Sequence, residues 1–296
     1  MQSNSLVSII IPVYADPDGL QTTLESAVNQ NYNPFEIIIS LTPSSGETRD
    51  VADAYASKYP GLVHIVEVEK KGRAKARNAG INRADGDIIA FIDANIRMEP
   101  GWLTATVSDL EGKQADYLAS NVVISPITDN GDLIERYDRS LSLPVKHYVE
   151  NYNFAPTAAL LVTREIIETV GTFDPELTSG EDREFGNRVY HQAYKLYISD
   201  NEVYHPPRRT ISEHIQKAIR IGIGIEQLRR RYPSRYTFPS LISPIAYAPP
   251  HPKRLKSRLS SNNSDPIMTE FILFYIFNYL MKLYQQLGRW KYSLGF

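Results

Sequence analysis

The chain has 296 residues, which is enough for one large domain or for a domain with an extension. Apolar residues make up 42% and charged residues 22%, as in an ordinary globular protein, and the net charge is −2. Cysteine is absent, which excludes disulfides and thiolate metal sites, so a bound metal would need oxygen or histidine ligands, as Mg²⁺ or Mn²⁺ does.

The first part of the chain alternates strand and helix patterns. Apolar runs predict strands at 7–13, 36–41, 62–68 and 87–92, and the segments between them predict helices. This alternation predicts a parallel sheet with helices on both faces, and such sheets bind ligands beyond the carboxyl ends of their strands. Three residues follow strand ends and are therefore expected at the site: Tyr14, Thr42 and Asp93.

Beyond residue 100 the alternation weakens. Residues 135–157 are aromatic and lack a clear period, and we interpret them as a loop on the acceptor side of a site. Residues 233–266 contain many prolines and are predicted to form a linker or an irregular arm. The remaining patterns predict strands at 116–124 and 196–204 and helices at 163–170, 181–191 and 211–231.

The chain therefore divides into a main domain at 1–232 and a C-terminal extension at 233–296. The apolar segment 271–284 in the extension is too short to cross a bilayer. Three roles stay open for it: packing on the domain, contact with a membrane interface beside the basic arm, or burial in a homodimer. The N-terminus has a strand pattern rather than that of a signal peptide, and we expect a cytoplasmic protein, with the inner face of the membrane as an alternative location.

Charge is distributed unevenly along the chain. Residues 1–205 contain 17 Lys and Arg against 30 Asp and Glu, whereas residues 206–296 contain 15 against 4. Two interpretations fit the basic C-terminal part: a solvated basic face, or attraction to phosphates on a substrate or on a lipid surface. We expect no nucleic-acid partner.

Asp93 stands where the apolar run 87–92 meets a polar loop. A carboxylate at such a position can hold a divalent cation that bridges the two phosphates of a diphosphate. Asn95 would point to the same side if the strand stays extended. There its side-chain oxygen can bind the cation, or its amide can form a hydrogen bond with a ribose. His205 is a further candidate ligand, because neutral imidazole binds Mn²⁺. A turn aspartate and a loop histidine are the structural alternatives.

Glu181 and Asp182 stand at the start of a predicted helix. A helix N-terminus favours carboxylates and keeps them ionised. An ionised Asp182 that faces a pocket can take the proton from an attacking hydroxyl, which makes it the candidate catalytic base. The alternative is simple N-terminal helix charge, with Ser179 as the capping residue.

Two groups of basic and amide side chains are candidates for contact with a nucleotide. Arg73 and Arg77 share a face of the helix that follows Gly72, and we expect them to reach a nucleotide together with Asn78. The guanidinium groups of Arg208 and Arg209 match phosphate oxygens, so they are candidates to stabilise a departing diphosphate. Surface arginines are the alternative for this second pair.

These segments together resemble the family 2 glycosyltransferases, inverting enzymes with the GT-A fold. The resemblance covers roughly residues 6–230. It implies an α/β fold with a Rossmann-like mixed, mainly parallel sheet flanked by helices, followed here by a C-terminal helical extension. It rests on Pro12-Val13-Tyr14, on Gly72 through Gly80, on Asp93 as the first acid of a D-x-D metal motif, on Glu181-Asp182 with Asp182 as the base, and on His205.

The resemblance also implies an activity: transfer of one sugar from a nucleotide-diphosphate sugar, with a UDP-sugar as the expected donor, to a sugar, lipid-linked or protein acceptor. The cofactor would be Mn²⁺ or Mg²⁺, with Asp93, Asn95 and His205 as its ligands. The expected donor-binding residues are Pro12, Tyr14, Thr42, Arg73, Arg77, Asn78, Asp93, Asn95, Glu181, Arg208 and Arg209.

Two features depart from the family pattern. Leu41 and Thr42 stand where members commonly carry an Asp pair that reads the nucleotide base, and Asn95 replaces the second acid of D-x-D. A catalytically atypical or inactive sugar- or lipid-binding protein is therefore one alternative. A nucleotidyltransferase is another, although acidic residues rather than a basic glycine-rich loop follow the first strand. The Q-x-x-R-W signature of processive synthases is missing, so we predict addition of a single sugar.

Overall fold

A computed structural model of the protein describes residues 5–43, 46–125, 131–261 and 264–295. Within these residues one mixed sheet of eight strands forms the centre of the molecule. The strands are β1 (Val7–Val13), β2 (Phe35–Leu41), β3 (Val63–Glu67), β4 (Ile88–Ile92), β5 (Arg97–Met98), β6 (Tyr117–Ile124), β7 (Ala159–Thr163) and β8 (Leu196–His205).

The order of the strands across the sheet is β3-β2-β1-β4-β7-β6-β8-β5. The first four strands are parallel, with Val7 of β1 opposite Phe35 of β2 and Ile88 of β4. Strand β7 is antiparallel to both of its neighbours, and β6 and β8 are parallel to each other. The predicted α/β fold with a mixed, mainly parallel sheet is confirmed.

The central strands β1, β2 and β4 are almost wholly buried, because helices cover both faces of the sheet. Ser8, Glu36 and Ser40 are polar side chains buried among them. The hydroxyl of Ser8 donates to Glu36 Oε1 at 2.6 Å and accepts from the backbone N–H of Gly86 at 2.8 Å. These bonds join β1, β2 and the turn before β4, so a buried hydroxyl helps to fix the relative positions of three segments.

Helices connect and cover the strands. A short 3₁₀ turn at Pro244–Ala246 adds to them near the C-terminus. The helices are α1 (Pro17–Ala27), α2 (Gly46–Lys58), α3 (Arg73–Arg83), α4 (Trp102–Gly112), α5 (Leu133–Leu141), α6 (Val145–Tyr152), α7 (Arg164–Val170), α8 (Glu181–His191), α9 (Ile211–Arg231), α10 (Pro252–Ser261) and α11 (Met268–Ser293).

Two sequence-based interpretations are wrong. Residues 135–157, expected as a loop, contain most of α5 and all of α6. Asp132 is the N-cap residue of α5, and Pro144 is that of α6. Helices of nine and eight residues give too few turns for a clear period. Residues 233–266, expected as an irregular arm, contain the 3₁₀ turn and α10. The sequence analysis also missed α4, β5 and β7.

The C-terminal helix α11 packs along α9. The two helices approach so closely that a Cβ atom at Gly222 would lie 2.0 Å from the backbone oxygen of Gln285, and one at Gly288 would lie 2.1 Å from that of Ile219. A buried ion pair joins Arg289 of α11 to Glu226 of α9 at 3.1 Å. Packing on the domain is therefore one role of the apolar C-terminal segment, and none of the described helices is long and apolar enough to span a membrane. The division at residue 232 stays a prediction.

Candidate active site

A large cavity opens at the carboxyl ends of β1, β2 and β4. Its volume is about 1190 Å³, above the range of roughly 300–1,000 Å³ that is common for single small-molecule sites. It therefore has room for more than one small molecule. The predicted site residues that line it are Pro12, Tyr14, Thr42, Arg73, Arg77, Asp93, Asn95, Glu181, Asp182, His205 and Arg208.

The loop after β4 is held by backbone hydrogen bonds at both ends. The N–H of Asp93 donates to the carbonyl of Ala158 at 3.1 Å, and the N–H of Asn95 donates to that of Gly19 at 3.0 Å. Asn95 adopts a left-handed conformation with φ of +75°, so the strand does not continue as the sequence analysis assumed. Both side chains nevertheless border the cavity.

Arg77 connects the two acidic segments of the site. Its guanidinium donates to Asp93 Oδ1 at 2.7 Å and to Glu181 Oε1 at 3.0 Å, and its side chain is only 2% exposed. Burial alone would lower the pKa of Arg77, but the carboxylates of Asp93 and Glu181 outweigh this effect and raise it. Arg77 therefore joins the ends of β4 and α8, and its side chain also borders the cavity.

Helix α8 begins at the cavity with two carboxylates. Gly180, with φ of +84°, is its N-cap residue in place of Ser179, and the side chain of Ser179 accepts from Arg220 instead. Asp182 Oδ1 accepts from the backbone N–H of Arg183 at 2.8 Å. Burial, followed by repulsion from Glu181, raises the pKa of Asp182 to about 6. Asp182 is therefore ionised at neutral pH and far more basic than a solvated aspartate.

The three predicted metal ligands border the same cavity, although among the described residues no group of three or more His, Asp or Glu side chains is close enough to hold a metal ion. Asn95 Oδ1 is buried without a hydrogen-bond partner. His205 Nδ1 lies 2.6 Å from the carbonyl oxygen of Pro206, which only accepts, so Nδ1 carries the proton and Nε2 the lone pair. Burial lowers the pKa of His205 and keeps it neutral. An unpaired amide oxygen, the Asp93 carboxylate and a neutral imidazole suit a hard divalent cation.

Tyr14 and Thr42 directly follow the ends of β1 and β2. Tyr14 is 46% exposed, and the ammonium group of Lys71 lies 3.8 Å from the centre of its ring. The backbone N–H of Thr42 donates to the carbonyl of Val13 at 3.0 Å, which places its buried side chain beside the end of β1. An aromatic face, a cation and a hydroxyl thus border this part of the cavity.

Two predicted donor-binding residues do not line the cavity. The carboxamide of Asn78 donates to the carbonyl of Phe173 and accepts from the same residue's N–H, so it ties α3 to the segment before α8. Arg209 pairs with Glu135 at 3.2 Å and is half exposed. Arg208 does line the cavity, but its backbone N–H and its guanidinium both contact the buried carboxylate of Asp138.

Several cavity residues were not predicted from the sequence. Three of them are basic: Lys217 and Arg220 on α9 and Arg258 on α10. They are far from the strand ends in the sequence, but the fold brings them to the same cavity. The only signal for them is the basic excess of residues 206–296, which does not tell which cations face a cavity. The cavity is also lined by aromatic rings that include Tyr148, Tyr152 and Phe238.

Comparisons with known proteins agree with this geometry. The chain is 28% identical over 293 residues to Glycosyltransferase AglE of Haloferax volcanii, covering 97% of this chain and 96% of AglE. It resembles the solved structure of mannosyltransferase PcManGT from Pyrobaculum calidifontis in complex with GDP-Man and Mn²⁺, with a TM-score of 0.64 and 18% identity over 98% of this chain and 88% of that one. It also resembles TarS 1-349 of Staphylococcus aureus in complex with UDP-GlcNAc, with a TM-score of 0.53 and 16% identity over 98% and 92% of the two chains.

The two structural likenesses establish the GT-A type of fold. The decisive match is to a sequence family: residues 8–169, more than half of the chain, match Glycosyl transferase family 2. This region includes the end of β1 and the residues Arg77, Asp93 and Asn95, whose positions at the cavity are described above. The chain belongs to glycosyltransferase family 2.

Proposed function

We propose that this glycosyltransferase moves a single sugar, with inversion at the anomeric carbon, from a nucleotide-diphosphate sugar to an acceptor hydroxyl. The observation that carries the proposal is that Asp93 and Asp182 border one cavity and are joined through Arg77 and Glu181. A group that binds the leaving diphosphate and a group that takes a proton must face one reaction centre. Two carboxylates on one cavity meet that requirement.

The donor would bind at the strand ends. Tyr14 and Lys71 offer a ring and a cation near the nucleotide, and Thr42 offers a neutral hydrogen bond. Arg73, in the first turn of α3, lines the cavity and suits a phosphate oxygen. We expect a UDP-sugar as the donor; PcManGT was solved with GDP-Man and TarS with UDP-GlcNAc, so both nucleotides belong in the first assay.

Asp93, Asn95 and His205 would hold the divalent cation. The unpaired Oδ1 of Asn95 supports this assignment, because a buried acceptor without a partner is costly unless a ligand satisfies it. When bound, Mn²⁺ or Mg²⁺ supplies positive charge that stabilises the diphosphate as it leaves. Arg77 holds the Asp93 carboxylate in place from the inner side.

Asp182 would act as the base. It takes the proton of the acceptor hydroxyl while the hydroxyl oxygen forms a bond to the anomeric carbon and the bond from that carbon to the diphosphate oxygen breaks. A pKa of about 6 leaves Asp182 ionised at pH 7 and makes it a stronger base than an ordinary aspartate. The rings of Tyr148, Tyr152 and Phe238 would pack against the acceptor, whose hydroxyl belongs to a sugar, a lipid-linked glycan or a protein.

The C-terminal helices would bring the protein to an anionic membrane surface. An apolar stripe runs along the outer face of α11, opposite the face that packs on α9, and α10 beside it exposes Lys253, Arg254 and Lys256. An apolar face flanked by cations matches the chemistry of an anionic bilayer surface. The stripe consists of Met268, Ile272, Leu273, Ile276, Leu280, Leu287 and Leu294.

Membrane contact is tested by co-sedimentation with phosphatidylglycerol vesicles and with neutral phosphatidylcholine vesicles. We expect binding to the anionic vesicles only, and its loss when Ile272 and Leu280 are both changed to Glu. Tyr190→Glu, which alters an exposed ring on α8, is the matched control. Absence of vesicle binding, together with a dimer that the double variant dissolves, would overturn the membrane assignment in favour of a homodimer.

The enzymatic proposal is tested with a panel of nucleotide sugars. Donor turnover and sugar transfer are measured with and without Mn²⁺, and the anomeric configuration of the product is read by NMR. We expect one or a few donors to be used, with an inverted product. A product with retained configuration would refute the single displacement, and binding of all donors without turnover would favour an inactive sugar-binding protein.

A further inference from the structure

One wall of the cavity is strongly cationic. It is formed by Lys217 and Arg220 on α9, by Arg258 on α10 and by Arg208 in the segment before α9. We call these four residues the cationic wall. They come from the basic C-terminal part of the chain, and no step of the proposed sugar transfer uses Lys217, Arg220 or Arg258.

The cations of this wall contact mainly neutral groups. Lys217 Nζ lies 3.3 Å from Ser142 Oγ, Arg220 donates to Ser179 Oγ at 3.1 Å, and Arg258 donates to the carbonyl of Leu141 at 2.8 Å. Within the part of the chain that the structure describes, Arg208 alone among the four forms an ion pair, with Asp138 at 3.3 Å. The wall therefore carries an excess of positive charge.

The excess charge on the wall is energetically unfavourable by itself. Burial, followed by repulsion from Arg208, lowers the pKa of Lys217 to about 7. Burial, followed by repulsion from Arg73, lowers the pKa of Arg220 to about 10. Like charges that are brought together and partly dehydrated favour the binding of an anion, because the anion removes the repulsion.

The wall extends away from the strand ends. The charged groups that act on Arg220 include Arg73, Glu181 and Asp182, so Arg220 lies near the residues assigned to the donor and the base. The groups that act on Lys217 are Arg208, Asp138, Arg220 and Arg258. Arg258 in turn acts on His147 and Tyr148 of α6. The wall thus leads from the reaction centre toward α6 and α10, on the acceptor side.

We propose that Lys217, Arg220 and Arg258 bind a phosphate group carried by the acceptor, as a subsite distinct from that of the donor diphosphate. A compact ammonium and two guanidinium forks match the oxygens of a phosphate monoester or diphosphate. The assignment to the acceptor rests on the proposed glycosyl transfer, since it supposes that the strand ends hold the donor. The phosphate chemistry itself rests on the wall alone.

Thermal shift and calorimetry with inorganic phosphate and methyl phosphate test the subsite, with chloride at equal ionic strength as the reference. We expect both phosphates to raise the melting temperature of the wild type. Lys217→Gln and Arg258→Gln should each weaken phosphate binding by about tenfold. Lys146→Gln removes a 70% exposed lysine of α6 and is the control, since it changes the net charge equally and should leave phosphate binding unaltered.

A second arm separates the acceptor phosphate from the donor diphosphate. The same titrations are repeated with saturating Mn²⁺ and the nucleoside diphosphate that binds best. We expect inorganic phosphate still to bind, and we expect Lys217→Gln to bind that nucleotide as the wild type does. Loss of phosphate binding when the nucleotide is present, or an equal loss of nucleotide affinity in Lys217→Gln, would overturn the proposal, because the wall would then belong to the donor.

The two proposals fail in different ways. If no nucleoside diphosphate binds, the proposed transferase function fails, whether or not inorganic phosphate binds. If a nucleotide binds and phosphate does not, only the acceptor subsite fails. Misfolding is excluded as an explanation by the melting temperature without ligand, which should stay equal or rise in Lys217→Gln, since this change removes a cation from a repulsive group.

Discussion

The guanidinium of Arg77 donates to the carboxylate of Asp93 over 2.7 Å inside the protein, where the arginine side chain is almost inaccessible to water. The same guanidinium donates to Glu181, the residue before the proposed base. Segments that are far apart in the sequence are therefore joined by one buried cation. Because a buried charge needs its partners, the positions of the β4 loop and of the α8 start depend on each other.

Substitution of Arg77 by Ala should destabilise the fold strongly. It leaves the buried carboxylate of Glu181 and that of Asp93 without their cation, and breaking a buried pair costs about 3–5 kcal/mol. Urea denaturation measures the loss. Arg49→Ala, which breaks an exposed pair with Glu67, is the control and should cost less than about 1 kcal/mol. Equal effects of the two changes would show that the buried ion pairs of Arg77 contribute no more to stability than an exposed pair.

Substitution of Asp93 by Asn should remove the metal dependence of donor binding while keeping most of the fold. The amide oxygen still accepts from Arg77, but the negative charge that attracts a divalent cation is lost. We expect the affinity for nucleotide sugar in Mn²⁺ to fall by at least about tenfold, toward its value without metal. Asp18→Asn, in the exposed first turn of α1, is the matched control. Calorimetry with and without Mn²⁺ measures both, and an undiminished Mn²⁺ effect would remove Asp93 from the metal site.

The contrast between Arg77 and Asn78 shows what the sequence allows and what it does not. Apolar runs such as β1 and β4 identify buried strands directly, and the residues after them could be placed at one edge of a sheet. Neighbouring residues on a helix point about 100° apart, however, and nothing in the local sequence says which one meets the cavity. Arg77 meets it, whereas Asn78 is held by the backbone of Phe173.

Strand direction and long-range pairing are equally hidden. The run at β7 is apolar whether its strand is parallel or antiparallel, so the insertion of an antiparallel strand between β4 and β6 had no local signal. The only feature of the sequence that pointed to the cationic wall was the overall basic charge of the C-terminal part. Lys217 and Arg258 lie on helices that meet only in the folded chain, and a basic composition fits a solvated surface equally well.

The pH dependence of transfer should report the ionisation of Asp182. Because only the ionised carboxylate can take a proton, the rate should be half of its plateau near pH 6 and should fall by about tenfold for each unit below that. Above about pH 7 nearly all of Asp182 is ionised, so its ionisation should no longer change the rate. Single-turnover transfer between pH 4.5 and 8 measures the profile, and nucleotide binding over the same range is the control. A midpoint near pH 4 would mean that Asp182 is not the base or is not buried in the working enzyme.

Substitution of Asp182 by Asn should slow transfer strongly and stabilise the protein. Loss of a general base lowers the rate by about 10²–10⁴-fold. The raised pKa means that the folded state disfavours the ionised form, so above pH 6 the neutral amide removes a cost of at most about 3 kcal/mol. As the pH falls from 6 toward 3.8 the carboxylate is protonated in the folded state first, so the gain shrinks and should be small at pH 3.5. Melting curves at pH 7.5 and pH 3.5 test the sign, and a variant that is less stable at pH 7.5 would contradict it.

Substitution of Gly222 by Ala should separate α11 from α9. The added Cβ would meet the backbone oxygen of Gln285 at 2.0 Å, and a backbone atom cannot move aside without shifting the helix. Overpacking of this kind costs about 1–3 kcal/mol, which exceeds the gain of up to about 1 kcal/mol that alanine gives in a helix. Gly112→Ala in α4 is the control, because its Cβ meets nothing within 4 Å and should leave stability unchanged or raise it. Since Gln285 and Arg220 border the cavity from these two helices, Gly222→Ala should also weaken phosphate binding while donor binding at the strand ends is retained.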